Sequence, residues 1–247
     1  MGPWKRNRPI IHLPKAFLVD MDDTLITFSA AGDGAWRAVC TKYASQVNGV
    51  TGAGQLLAAI SAAGHQYWGD PERHRAGRLN LLMARREVVA LALTALGEAN
   101  NPLADRIADE YSVLQYDLLD WFAGAEQTLE QLRRDRVRLV LVTNGQASLQ
   151  RAKINRFHLD RYFEAILIED EMGFGKPDPR VYRKALTGLA LSAKDVRMIG
   201  DNLLWDVKGA QDAGMEAIWV DFRGSGLPEG SLVVPDRILL SFSGLYG

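Results

Sequence analysis

Ala16-Phe17-Leu18-Val19-Asp20-Met21-Asp22-Asp23-Thr24-Leu25 sets an unbroken apolar run directly against a cluster of carboxylates. Four apolar residues in succession, without alternation, describe a short strand buried on both faces, as in a parallel sheet. The abrupt change to acid puts polar groups beyond the strand's carboxyl end, where open α/β sheets bind their ligands. Asp20 and Asp22, one residue apart, point the same way in an extended chain and can converge on one ion. Like charges held that close call for a compensating cation, and hard oxygen donors suit magnesium. A turn whose aspartates cap backbone groups explains the same run equally well.

The pattern recurs along the 247 residues. Val137–Val142 runs into Thr143-Asn144-Gly145, Ala165–Ile168 into Glu169-Asp170-Glu171, Val196–Ile199 into Gly200-Asp201, and Ala217–Val220 into Asp221. Between these runs lie the helical patterns Glu126–Arg134, Ala147–Phe157, Pro179–Leu189 and Leu204–Ala213. Strands alternating with helices predict an α/β fold with a doubly wound parallel sheet, here of five strands. Residues 27–118 carry helical periodicity and alanine-rich patches with no strand pattern, and read as an inserted α-helical domain. Its predicted helices are Ala35–Val47, Gly54–Tyr67, Glu72–Leu96 and Leu103–Leu118, separated by glycine-rich or Asn-Pro breaks. The core is therefore expected from 1–26 and 119–247. Within it, Pro3, Pro9 and Pro14 mark residues 1–14 as an extended, weakly ordered lead-in.

Each strand end admits a chemical and a plain reading. Thr143-Asn144-Gly145 precedes a helix, so its hydroxyl and backbone N–H groups can face an anion, yet Thr and Asn are also ordinary helix caps. Lys176, held between Gly175 and Pro177, can neutralise a phosphate or hold a carboxylate, although most lysines are merely solvated. Asp201 and Asp206, five residues apart at the start of a helix, can approach the same ion, though an aspartate there is often only a cap. In the insert, Arg73-His74-Arg75 and Arg78, with His65 and Trp68 nearby, fit a solvated basic helix face better than a ligand site.

Composition narrows the classes. With 29 Lys+Arg against 30 Asp+Glu the net charge is -1, which lacks the footprint of a nucleic-acid polymer binder and favours a small-molecule partner. Cys40 is the single cysteine and excludes an intrachain disulfide. The four histidines stand far apart in no zinc spacing. Ile10–Pro14 is too short for a signal peptide, and no run approaches the ~20 apolar residues of a membrane helix. A cytoplasmic location without membrane association is expected; oligomeric state is not legible.

The four strand-end motifs, DMDDTL, VTN, GKPDP and IGDNLLWD, occur in the order and spacing of the haloacid dehalogenase superfamily, which the chain resembles from Lys15 to about Val220. The resemblance implies a Rossmann-like core with the helical insert as a cap, a lid that excludes water. It implies Asp20 as nucleophile and Asp22 as general acid and base, with an aspartyl-phosphate between the two half-reactions. Magnesium (Mg2+) is implied on a carboxylate oxygen of Asp20, the backbone carbonyl of Asp22 and the side chain of Asp201, with Asp206 in support. Thr143, the backbone near Asn144 and Lys176 are implied to hold the phosphate. VTNGQ, GKPDP and the Asp22-Asp23 pair are similar to nucleotidases and acylneuraminate phosphatases, implying a magnesium-dependent phosphatase of a small phosphorylated metabolite such as a nucleotide or sugar phosphate. Asp22 sets the chain apart from dehalogenases, which attack carbon without it. A sugar-phosphate mutase uses the same core. A phospho-accepting domain places its acid pair and its acceptor on different strands, and a catalytically dead binding protein on this fold is disfavoured because every motif carries its functional residue.

Overall fold

The computed structural model of the protein describes residues 13–246. Of the expected lead-in, residues 1–12 lie outside the described ones. Residues 13–27 and 121–246 form one compact unit and Phe28–Asp120 another.

The first unit is a sheet of β1 (Ala16–Val19), β2 (Arg138–Thr143), β3 (Ala165–Ile168), β4 (Val196–Gly200), β5 (Glu216–Val220) and β6 (Arg237–Leu239). The order is β3-β2-β1-β4-β5-β6, with every pair parallel. β1 is central, and Leu18 lies opposite both Val140 and Met198, which explains why the strand is apolar at every position. Strand order reverses between β1 and β4, the place where sheets of this kind open a crevice beyond their carboxyl ends. Five strands are predicted and six are found. β6 is three residues at an edge, with Arg237 and Ile238 only half-buried, too short and too mixed to register as an apolar run.

Helices after β1 and the insert are α6 (Ala125–Arg134), α7 (Ala147–Arg156), α8 (Glu169–Met172), α9 (Pro179–Leu189) and α10 (Gly209–Asp212). On one face of the sheet, Leu18, Val140, Met198 and Ala217 pack with Val181, Tyr182 and Ala185 of α9. The expected helix Leu204–Ala213 is instead a π-helical turn, Leu203–Lys208, continued by α10. The wide turn comes from the side chain and carbonyl of Asn202, which take the N–H groups of Leu204, Trp205, Asp206 and Val207.

The insert contains α1 (Phe28–Tyr43), α2 (Ala53–Gly69), α3 (Pro71–Leu79), α4 (Leu81–Ala95) and α5 (Leu103–Asp117). Its core joins Val39, Leu56, Ile60, Val89, Leu93 and Ile107. α1 begins seven residues before its predicted start, across Gly32 and Gly34. Glycine lowers helix propensity by about 1 kcal/mol. Here it is required by packing, because a Cβ on Gly32 would lie 2.9 Å from the Tyr111 hydroxyl and the Gln115 amide of α5. The predicted helix Glu72–Leu96 is two helices broken at Asn80, whose backbone leaves the helical region. Close packing at Gly77 sets that corner, since a Cβ there would stand about 3 Å from Trp68, Tyr67 and Ala84. Among the described residues no helix is long and apolar enough to cross a membrane.

Candidate active site

Asp20 continues the ladder of β1 by donating its N–H to Ile199 O at 2.9 Å, after which the chain turns sharply. Met21 O accepts from Leu25 and Ile26, and Asp23 adopts a left-handed conformation, which aspartate tolerates better than most residues. Met21, Leu25 and Ile26 are fully buried and fasten the turn from beneath. The alternation of apolar and acidic residues in DMDDTL is thus a division between anchors and functional groups. Thr24 donates its hydroxyl to Asp20 Oδ2 at 3.2 Å.

β4 delivers the second acid group. Trp219 on the neighbouring strand donates to Asp201 O at 2.7 Å, and Asn202 N donates to Asp206 Oδ2 at 2.9 Å. Gly200 is needed for this approach: a Cβ there would stand 2.3 Å from the Asp206 carboxyl. The π turn carries Asp206 inward, so that its carboxylate meets those of Asp20 and Asp201, with one oxygen of each within 4.8 Å of the others.

Lys176 enters this acid cluster from the loop before α9. Its ammonium lies 2.5 Å from Asp20 Oδ1 and 2.6 Å from Asp206 Oδ1, and the residue is 2% exposed. Burial opposes its charge, but Asp20 and Asp206 outweigh that and hold the amine above its ordinary value. Burial pushes Asp20 up to about 7; Lys176 pulls it down, and Asp206 and Asp22 push it further up. Burial also raises Asp201 well above the carboxylate range, reinforced by the charges of Asp20 and Asp206. Three carboxylates face one ammonium, an excess of negative charge on hard oxygen donors. That donor set fits a small oxygen-ligated divalent cation such as magnesium.

Thr143 ends β2, where Gln150 Nε2 of α7 donates to its hydroxyl oxygen at 2.6 Å. The Asn144 side chain is committed to the lysine loop: Nδ2 donates to Lys176 O at 2.7 Å and Oδ1 accepts from Lys176 N at 2.8 Å. Asn144 therefore ties the second strand end to the third. Asp22 stands apart from the three-carboxylate group, with Lys153 Nζ 2.8 Å from Oδ1 and 2.6 Å from Oδ2.

Sequence reasoning brought Asp20, Lys176, Asp201 and Asp206 to one place, gave Glu169 and Asp170 only as a polar strand end, and passed over Gln150 and Lys153. Glu169 Oε2 accepts from Gly145 N and Asp170 Oδ2 from Ala147 N, so acids at the end of β3 cap the first turn of α7. The three-residue spacing of Gln150 and Lys153 on one helix face was the available signal. The basic stretch of the insert is occupied locally: His74 packs edge-on against Trp68, Arg78 reaches the His74 ring at 3.2 Å, and Arg73 makes an exposed pair with Glu87.

The chain is similar to proteins of known family. The chain is 44% identical to a phosphoserine phosphatase of Thermus thermophilus over 47% of this chain and 45% of that protein. It is 30% identical to the human N-acylneuraminate-9-phosphatase over 62% and 61%. The chain thus spans less than two thirds of either relative. The structure resembles the magnesium-bound hydrolase YfnB of Bacillus subtilis with a TM-score of 0.74 and 21% identity, over 95% of this chain and 98% of that one, a likeness of fold. Residues 14–214 match the haloacid dehalogenase-like hydrolase family. Because that match takes in the strand ends of β1, β2, β3 and β4 and the lysine loop between the last two, the chain belongs to the haloacid dehalogenase-like hydrolases.

Proposed function

We propose that the protein is a magnesium-dependent phosphatase that removes the phosphoryl group from a small metabolite through an aspartyl-phosphate on Asp20. The observation that carries the reading is the meeting of Asp20, Asp201 and Asp206 around the Lys176 ammonium. The names of the relatives support it, since they act on small phosphorylated compounds. Asp22 supports hydrolysis of phosphate esters over carbon–halogen cleavage.

In this reading an Asp20 carboxylate oxygen attacks phosphorus, and the bond from phosphorus to the leaving oxygen breaks. Asp22 gives that oxygen its proton. Water then attacks the phosphorus of the aspartyl-phosphate, Asp22 takes the proton from water, and Asp20 is released as carboxylate. Lys176 offsets the charge of Asp20, so that an anionic nucleophile meets an anionic substrate. The Thr143 hydroxyl, whose oxygen already accepts from Gln150, keeps its hydrogen to give to a transferring oxygen. Asp20, the backbone carbonyl of Asp22 and Asp201 would hold the magnesium, with Asp206 in support, and the ion would neutralise the phosphoryl oxygens.

A phosphate-release screen over nucleotides, sugar phosphates, phosphoserine and phosphoglycolate, with magnesium and with chelator, tests the assignment. Magnesium-dependent release is expected. Chelator-resistant release would overturn the metal, transfer of phosphate within a sugar would identify a mutase, and chloride release from a haloacid would identify a dehalogenase.

A further inference from the structure

We infer that Lys153 and Gln150 of α7 are positioning residues that set the proton-transfer carboxylate, Asp22, against the phosphate-holding hydroxyl, Thr143; the inference rests on the phosphatase reading above. Lys153 is 4% exposed, yet its side chain carries its terminal nitrogen to a carboxylate, Asp22. Burying a cation costs free energy unless it is paired, and an apolar side chain at this point of a helix packs more cheaply. The Lys153 nitrogen spans both oxygens of Asp22 at 2.8 and 2.6 Å. Two contacts from one nitrogen fix the carboxylate's direction as well as its place.

Gln150, one helical turn earlier, joins the same carboxylate to the second strand end. Its Nε2 lies 3.2 Å from Asp22 Oδ2, 2.6 Å from Thr143 Oγ1 and 2.8 Å from Asn144 O. A hydroxyl accepts through its lone pairs and donates one hydrogen, so this contact leaves the Thr143 hydrogen directed away from Gln150. The helix that carries both residues is itself tied down, because Glu169 and Asp170 hold the N–H groups of Gly145 and Ala147 at its start. One rigid element thus fixes the spacing between the group that moves the proton and the group that holds the phosphoryl oxygen. Precision of this kind resides in the supporting residues more than in the catalytic ones.

Support that acts through Asp22 has a signature that general structural damage lacks. An alkyl leaving group must be protonated as it departs, whereas p-nitrophenolate departs unaided, so loss of a well-placed acid weighs on the first and spares the second. The full chain is assayed as wild type, Lys153→Met and Gln150→Leu on glycerol phosphate and p-nitrophenyl phosphate, with thermal melting as the check of folding. For Lys153→Met, kcat/KM is expected to fall on the order of 10²-fold on the alkyl ester and by less than about fivefold on the aryl ester. A burst of p-nitrophenolate is expected, because water attack on the aspartyl-phosphate still needs Asp22. Adding Lys153→Met to Asp22→Asn should cost nothing further, since both changes remove one function.

Equal losses on the two esters, or losses that add in the double variant, overturn the inference. Should Lys153→Met not fold, Gln150→Leu carries the same comparison and the same double-variant test. Failure of the underlying reading looks different: the unaltered protein then releases no phosphate from either ester.

Discussion

The two units of the chain bury different things. Around the strand ends the first unit buries Asp20, Lys153, Glu169, Lys176 and Asp206, charges set within reach of partners. The insert, Phe28–Asp120, fills its interior with Val39, Leu56, Val89, Leu93 and Ile107, and Arg85 is its one buried ionic side chain among the described residues. Arg85 meets neutral groups, the Gln115 amide and the Tyr111 ring, whose centroid lies 4.8 Å from the guanidinium carbon. Burial accordingly lowers the Arg85 pKa. In the first unit the interior charges meet one another in pairs, and in the proposed reading residue identity there is fixed position by position. In the second, volume and apolarity hold the bundle, and outside close approaches such as Gly32 and Gly77 apolar side chains of similar size can replace one another.

Substitutions should separate the two kinds of interior, beginning with the largest effect. Asp20→Asn is expected to abolish turnover, on the order of 10⁵-fold or more, with little change in melting temperature; wild-type-like phosphate release from this variant would remove the nucleophile assignment. Asp22→Asn is expected to slow turnover about 10²–10⁴-fold and to leave phosphoenzyme that acid quenching can trap. In the insert the balance reverses. Ile107→Ala empties a fully buried position and is expected to cost about 2–5 kcal/mol of stability in denaturant titration, whereas Ile107→Val costs about 1 kcal/mol. Equal sensitivity of Asp20→Asn and Ile107→Ala in the melting assay would erase the distinction.

The last expected effect is a dependence of stability on pH. Asp20 is held near 7 in the folded chain against an ordinary value of 3.8. Between those values the folded carboxyl keeps a proton that the unfolded chain has released, so its contribution to stability falls as pH rises from about 4 to about 7. Melting curves in chelator should show that slope, to which Asp201, raised in the same direction, adds; Asp20→Asn should reduce it and added magnesium should flatten it. In the insert, hydrogen bonds from Arg86 and Lys42 hold Asp109 and Glu110 low, the opposite sign, but these pairs are solvent-screened and contribute little. A slope unchanged in Asp20→Asn would locate it elsewhere.

The central strands were legible because a strand buried on both faces has to be apolar throughout, and the acids at their ends because they break each apolar run abruptly. Asp206 was legible only as a residue near Asp201; its inward turn depends on Asn202 taking successive backbone N–H groups, which no spacing announces. Lys153 and Gln150 were hidden for a related reason. Their partner, Asp22, is more than a hundred residues away in the chain, and a lysine on a helix looks solvated until the fold covers it. The break at Asn80 and the early start of α1 were missed where contacts at Gly77 and Gly32 overrode helix propensity.

The wide turn at Leu203–Lys208 makes the fourth motif partly a matter of counting. Leu204 is 58% exposed there, so its chemistry is free to drift. The number of residues between Asp201 and Asp206 is not. Deleting one would let the turn rewind as an ordinary helix and swing Asp206 about 100° around the axis, out of reach of Lys176. Insertions and deletions at this point should therefore be purged far more strictly than replacements, leaving a segment whose length is preserved while its letters change.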